Sequence, residues 1–349
     1  MVIISHRTME FKKICVIHLN QIGDLLFSLP FLKALKENTP SAIIHSVVRP
    51  HLKDLLIHSP FVDQLLIRER GIRKILILLR KLRKNRYDLL ITLSRSEECL
   101  FLTALSGARV KVGFTHFPWD FCLDVKEEME GPPCVSNNFR LLKRLHIEAR
   151  KKDYVGLINL PLEKGSKELR RSKISNIQGE YVVISPGTSA RRRIKTWEED
   201  KFSDLILRLK ERYDLNPVLI GGEDSREMNE KIVEILIEKD IERRMNHLQN
   251  LTGKADLKEL CYLLQKAALF VGVDSGIMHL ASSFDIPVVG IFGPTDPFYV
   301  GPQNTKSRLV RKEELECVPC YLKGCEVREC MKRIETGDVF HACEEVLNR

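Results

Sequence analysis

Glycine and proline are scarce in this chain, 19 and 15 among 349 residues, and aromatic side chains make up only 7%. That scarcity excludes collagen-like and low-complexity structure, and with 44% hydrophobic and 30% charged residues the bulk of the chain is expected to fold. No apolar run approaches the roughly 18–20 residues that a membrane helix needs. The stretch 1–13 holds His6, Arg7, Glu10, Lys12 and Lys13 and lacks the apolar segment of a secretory signal, and Met9 is a second possible start. A soluble, cytoplasmic chain is expected. At roughly 150 residues per domain its length suggests two domains.

Histidine is missing from the one cysteine-rich segment. Of ten cysteines, Cys15, Cys99, Cys122, Cys134, Cys261 and Cys343 are isolated, whereas Cys317, Cys320, Cys325 and Cys330 form C-x2-C-x4-C-x4-C. The first spacing is that of many zinc sites, but the later ones are short and no histidine lies between Glu316 and Lys332. Reduced thiols or a redox pair are the reading, with a structural metal site on these four as the alternative.

Acidic residues are nearly absent from residues 68–86, where nine basic side chains face one acid, Glu69. This segment carries most of the chain's net charge of +9, which points to a local anionic partner. On a helical wheel Ile72, Ile75, Leu76, Leu78, Leu79 and Leu82 share one arc, predicted to pack on a sheet. Arg73, Lys74, Arg80, Lys81 and Lys84 share the other, with Ile77 among them. A cationic face with an apolar residue in it suits an anionic membrane surface or a phosphorylated glycolipid acceptor. A nucleic-acid partner is not expected, because 68–86 lacks Phe, Trp and Tyr for stacking.

What is present is a repeating strand–helix rhythm. Apolar runs at 14–19, 42–48, 64–67, 87–93 and 110–114 alternate with helical patterns, and the rhythm restarts at Tyr181 with further runs at 217–220, 269–273 and 287–292. Such runs imply parallel sheets covered on both faces. The fold class is therefore α/β: two Rossmann-like parallel-sheet domains facing a central cleft. The predicted division is a first domain over 1–160, a linker over 161–179, a second domain over 180–330, and a C-terminal helix over 331–349 packing back on the first domain.

Ligands of such sheets bind beyond the carboxyl ends of the strands. The first strand–helix turn lacks G-x-G-x-x-G and reads Gln21-Ile22-Gly23-Asp24, so a carboxylate stands where a dinucleotide phosphate would sit. Asp24 is either a helix cap or a general base kept ionised by the helix N-terminus. Gly187, Thr188 and Ser189 follow a strand and precede Arg191, Arg192, Arg193 and Lys195, a pattern suited to a leaving diphosphate. Glu223, after Gly221-Gly222, could bond ribose hydroxyls. Asp274, Ser275 and Gly276 end a strand and open a helix, an anion site within reach of His279.

In order and spacing these motifs resemble those of the ADP-heptose:lipopolysaccharide heptosyltransferases, glycosyltransferase family nine. The resemblance rests on Gln21-Ile22-Gly23-Asp24 with Leu29-Pro30, on Ser185-Pro186-Gly187-Thr188 with Lys195-Thr196-Trp197, and on Gly221-Gly222-Glu223. It continues through Leu251-Thr252-Gly253, Asp274-Ser275-Gly276-x-x-His279 and Phe292-Gly293-Pro294-Thr295. Glu198 departs from the proline usual after the Lys-x-Trp motif. The resemblance implies a GT-B fold, the acceptor on the first domain, a nucleotide-sugar such as ADP-heptose on the second, and neither cofactor nor divalent metal. It gives Asp24 the role of base in a one-step inverting transfer. Lys195, Thr188, Ser189 and the Asp274–Gly276 turn would hold the diphosphate, Glu223 the ribose, and Thr252 and Gly253 the adenine side. It also implies an enzyme working at the inner face of the cytoplasmic membrane.

Overall fold

The computed structural model describes residues 11–18, 21–131, 135–160, 174, 177–239, 247–322 and 324–348. The chain divides between residues 161 and 162 into two units, each with its own six-stranded sheet. Nearly all of the expected linker lies outside the described residues.

The first sheet comprises β1 (Lys13–His18), β2 (Ile43–Val48), β3 (Gln64–Ile67), β4 (Leu89–Thr92), β5 (Val110–Phe114) and β6 (Val125–Glu127). Its order is β3-β2-β1-β4-β5-β6 and every pairing is parallel. The second contains β7 (Tyr181–Ser185), β8 (Asn216–Leu219), β9 (Gln249–Asn250), β10 (Leu269–Val273), β11 (Val288–Ile291) and β12 (Ser307–Val310). It repeats the same topology, β12-β11-β10-β7-β8-β9, again all parallel. In an all-parallel sheet the carboxyl ends share one edge, so each unit gathers its strand-end loops on one side. Ile14, Cys15, Val16 and Ile17 of β1 are wholly buried, as are Leu269, Phe270 and Val271 of β10, because helices cover both faces.

Nine helices longer than one turn accompany the sheets among the described residues: α1 (Ile22–Asn38), α2 (Ile72–Asn85), α3 (Glu97–Leu105), α4 (Val135–Arg144), α5 (Glu199–Tyr213), α6 (Arg226–Glu238), α7 (Leu257–Lys266), α8 (Gly276–Ser283) and α9 (Thr336–Leu347). Apolar residues surround α1 on all sides, and Leu25, Leu26, Phe31 and Leu32 are buried. His18, the last residue of β1, is buried and its Nδ1 lies 2.8 Å from the Ser28 hydroxyl, which ties α1 to the strand end. Burial pushes the His18 pKa down to about 3, so this imidazole is neutral and structural.

One expectation is corrected. Leu78, Leu79 and Leu82 of α2 pack into the core with Cys15, Ile17 and Leu90, but Ile72 and Leu76 are 68% and 47% exposed. The helix starts at the carboxyl edge of the sheet, where Ile72 and Leu76 stay exposed, while Ile75 packs against the same core. The C-terminal helix α9 packs on α5, β11 and β12 and buries Val339, Ala342, Cys343 and Val346 in the core of the second unit. The apolar face of α9 is absorbed by its own sheet.

Candidate active site

Asp24 stands in the first turn of α1, at the carboxyl edge of the first sheet, and is half-buried. Its Oδ2 accepts the Gln21 backbone N–H at 3.3 Å, one half of a reciprocal capping box with the Gln21 side chain. The cap is therefore present. A carboxylate that caps a helix can also act as a base. The helix N-terminus favours the ionised form, as a base requires.

In the second unit, Lys195 and Asp274 meet although 79 residues separate them. Lys195 ends a 3₁₀ stretch after β7, and its Nζ lies 2.5 Å from Asp274 Oδ2. The Thr295 hydroxyl, from the loop after β11, donates to the same oxygen at 2.6 Å, and His279 Nε2 stands 3.7 Å from Oδ1. Asp274 is 6% exposed. Burial alone would raise its pKa; His279 and Lys195 outweigh that and hold the carboxyl well below the usual carboxylate range. Asp274 is thus an anchor for Lys195. Thr295 was given no role by the sequence reading, because its proximity depends on β10 and β11 lying side by side.

Trp197 explains why Lys195 can face Asp274. The chain beyond Lys195 is extended, and two residues on the indole is buried, donating from Nε1 to the Ile334 carbonyl at 2.9 Å and meeting Phe202 edge-on. Ser275 caps α8, accepting from the Met278 N–H at 3.5 Å. Gly276 opens that helix, and His279 sits one turn in, buried.

A groove of about 820 Å³ runs beside this cluster, lined among others by Gly187, Thr188, Arg193, Glu223, Arg226 and Arg328. Gly187 permits a close approach here: a Cβ would fall 2.2 Å from the Ser225 hydroxyl oxygen. Gly253, at φ +66°, would place one 2.1 Å from Glu223 Oε1. Ser189 is exposed at the loop tip and Thr188 is half-buried. Glu223 is exposed, but Arg226 donates to both its oxygens at 2.7 Å and lowers its pKa. Thr252 differs from expectation in being enclosed, with its hydroxyl taking the Asn229 amide at 2.5 Å and donating to Asn250 at 2.7 Å. These two bonds tie the loop to α6 and to β9. The structure therefore separates the expected donor residues into the groove set and the Lys195–Asp274 set. Arg226 and Arg328 line the groove without a sequence signal: Arg226 opens an ordinary amphipathic helix, and Arg328 lies between Cys325 and Cys330.

Arg73, Lys74, Arg80, Lys81 and Lys84 are all exposed along α2, with Lys74 paired to Glu69 at 2.7 Å. Of the cysteine cluster, Cys317 and Cys325 are exposed, Cys320 is half-buried and Cys330 is buried. Burial and the neighbouring Cys320, Cys317 and Cys325 raise the Cys330 pKa, so it is a neutral thiol. Among the described residues no group of three or more His, Cys, Asp or Glu is placed to hold a metal ion.

Residues 75–331, well over half of the chain and including every donor-side motif, match glycosyltransferase family 9 (heptosyltransferase). The chain belongs to that family. The lipopolysaccharide heptosyltransferase 3 of Escherichia coli K12 is 30% identical over 295 residues, covering 80% of this chain and 82% of that protein. A lipooligosaccharide heptosyltransferase 2 of Campylobacter jejuni is 26% identical over 336 residues, 93% of this chain and 95% of its own. Among solved structures, the E. coli ADP-heptose lipopolysaccharide heptosyltransferase II superposes with a TM-score of 0.77 at 22% identity, covering 96% of this chain and 98% of that one. The fold of this family 9 glycosyltransferase is thus GT-B, as the motifs implied, with Asp24 on one sheet and the Lys195–Asp274 cluster on the other.

Proposed function

We propose that this glycosyltransferase moves a heptose from ADP-heptose to the inner core of lipopolysaccharide with inversion at the anomeric carbon. The observation that carries the reading is the pinned ammonium of Lys195. Held between Asp274 and the open side of its loop, it is a fixed positive charge aimed where a leaving diphosphate gathers negative charge. Gly187, Thr188 and Ser189 present backbone N–H groups beside it. Glu223 with Arg226 and Gly253 form the nucleoside end, and Asp24 takes the proton of the attacking acceptor hydroxyl. A retained Gly276 N–H at the start of α8 adds to the diphosphate cradle.

The test is turnover with ADP-heptose against UDP- and GDP-sugars on a core oligosaccharide, with the product's anomeric configuration read by NMR. The reading expects ADP-heptose alone to be used, the opposite anomer in the product, and unchanged turnover in EDTA. Use of a UDP- or GDP-sugar would keep the enzyme class and overturn the donor.

We further propose that α2 seats the enzyme on the anionic inner face of the cytoplasmic membrane. No helix among the described residues is long and apolar enough to cross a bilayer. Ile72, Leu76 and Ile77, at 68%, 47% and 44% exposure, lie among basic side chains that give about 1 kcal/mol each near an anionic surface. The expected result is binding to vesicles containing phosphatidylglycerol but not to neutral ones, lost in high salt. Changing Arg80, Lys81 and Lys84 to Glu should weaken it strongly while sparing turnover on a short soluble acceptor. Undiminished vesicle binding by the triple variant would remove α2 from this role.

A further inference from the structure

The stretch that follows β12 carries the four clustered cysteines and has no assigned part in the chemistry of Asp24 and Lys195. Its hydrogen bonds lead to the Lys195–Asp274 cluster. The N–H groups of Cys320 and Tyr321 both donate to the Pro294 carbonyl at 3.0 Å, and the Tyr321 hydroxyl accepts the Asp296 N–H at 3.3 Å. Pro294 and Asp296 flank Thr295, whose own hydroxyl donates to Asp274. Further along, Arg328 Nη1 donates to the Thr196 hydroxyl oxygen at 3.2 Å and to the Thr196 carbonyl at 3.4 Å. Thr196 adjoins Lys195. Cys330 and Met331 then enter the core of the second unit. The strand order is β12-β11-β10-β7, so this stretch ties to the loops after β11 and β7, the two neighbours of β10. Asp274 stands at the end of β10, where those two loops meet it.

Arg328 is the telling member. Acidic side chains lie in the same groove or next to it in sequence, yet each has another partner. Glu329 takes Arg333 at 2.8 Å, Glu198 takes Lys201 at 3.1 Å and Glu223 takes Arg226 at 2.7 Å. Among the described residues Arg328 has no carboxylate, and its guanidinium is given to a neutral hydroxyl and a carbonyl. Its backbone is held at φ +51°, a region that L residues rarely enter, and such strain persists only where the surroundings fix it. The single hydrogen of the Thr196 hydroxyl goes to the Arg193 carbonyl at 2.7 Å, so Arg328 binds the oxygen's lone pair. Arg328 thus pins the exit of the 3₁₀ stretch that ends in Lys195. An ammonium rides on a flexible four-carbon stem, and its place depends on how firmly its backbone is held.

We propose that Arg328 is a positioning residue for the transfer: through Thr196 it fixes the backbone of Lys195, so that the ammonium stands where the leaving diphosphate develops its charge. It acts through Lys195 and makes no contact with phosphate itself. The proposal rests on the reading of Lys195 as the leaving-group cation and adds the residue that sets its place.

The experiment is a double-mutant cycle with Lys195→Ala on the full chain, read as pyrophosphate affinity by calorimetry and as kcat with ADP-heptose. Pyrophosphate has neither base nor sugar, so that arm stands whether or not ADP-heptose proves to be the donor. Arg328→Met keeps most of the stem. It should weaken pyrophosphate by about 3–10-fold and lower kcat by about 10–100-fold, because a small misplacement of a catalytic group weighs most in the transition state. In the Lys195→Ala background the same change should alter either quantity by less than about two-fold, since nothing remains to be positioned. Thr196→Val should reproduce part of the loss, and it serves in place of Arg328→Met if that variant folds poorly. Arg328→Lys, which can still reach one of the two acceptors, should recover part. Equal losses in both backgrounds would make Arg328 a direct phosphate contact and overturn the proposal, leaving Lys195 its role. Arg328→Met within two-fold of wild type in both readouts would overturn it as well. If Lys195→Ala itself bound pyrophosphate as the wild type does, the leaving-group reading would fall and this proposal with it.

Discussion

Asp24→Asn should lower kcat by about 10²–10⁴-fold, the range expected when a general base is removed. The substitution is close to isosteric, and the asparagine oxygen can still accept the Gln21 N–H that Asp24 takes at 3.3 Å. Capping is therefore preserved, and the melting temperature should move little. ADP affinity should also hold, because the diphosphate residues lie on the other sheet. The informative result is this separation of lost turnover from retained stability and nucleotide binding. A variant with near wild-type kcat would make Asp24 a cap alone, since a lost cap accounts for only about 1 kcal/mol of stability.

Lys195→Ala should produce the second large effect, a fall in kcat on the order of 10²–10³-fold. ADP binding should weaken more than adenosine binding, because the missing contact is to phosphate. Equal weakening of both ligands would refute the assignment. The variant also leaves Asp274 as a buried carboxylate held, among the described residues, by Thr295 and His279, and breaking such a pair typically destabilises by about 3–5 kcal/mol. Binding and turnover are therefore best measured well below the lowered melting temperature. Asp274→Asn supplies the companion measurement: Lys195 stays, its anchor is weakened, and kcat should fall further than ADP affinity.

Much of this organisation is legible in the sequence because β1, β4, β7 and β10 are buried on both faces and so read as plain apolar runs. The short edge strands β6, β9 and β12 carry no such signature. β9 has two residues, Gln249 and Asn250, both polar, and only its neighbour β8 makes it a strand. The wheel placed Ile72 and Leu76 correctly on the arc of Leu79, but periodicity cannot say where the sheet beneath a helix stops. Motif spacing likewise identified Lys195 and Asp274 separately. That they touch, and that Thr295 completes the contact, depends on β7, β10 and β11 being neighbours. Arg68 reads in the sequence only as part of the basic run 68–86, and its pairing with Glu98 depends on the order β3-β2-β1-β4.

Each sheet is also complete in itself. Both repeat one strand order, no described strand of either sheet is drawn from the other unit, and α9 packs in the core of the second. A cut near residue 161 would take no described strand from either half. The halves can therefore be handled as separate parts: one isotope-labelled and ligated to an unlabelled other, or exchanged between relatives to pair a new acceptor specificity with an existing donor specificity.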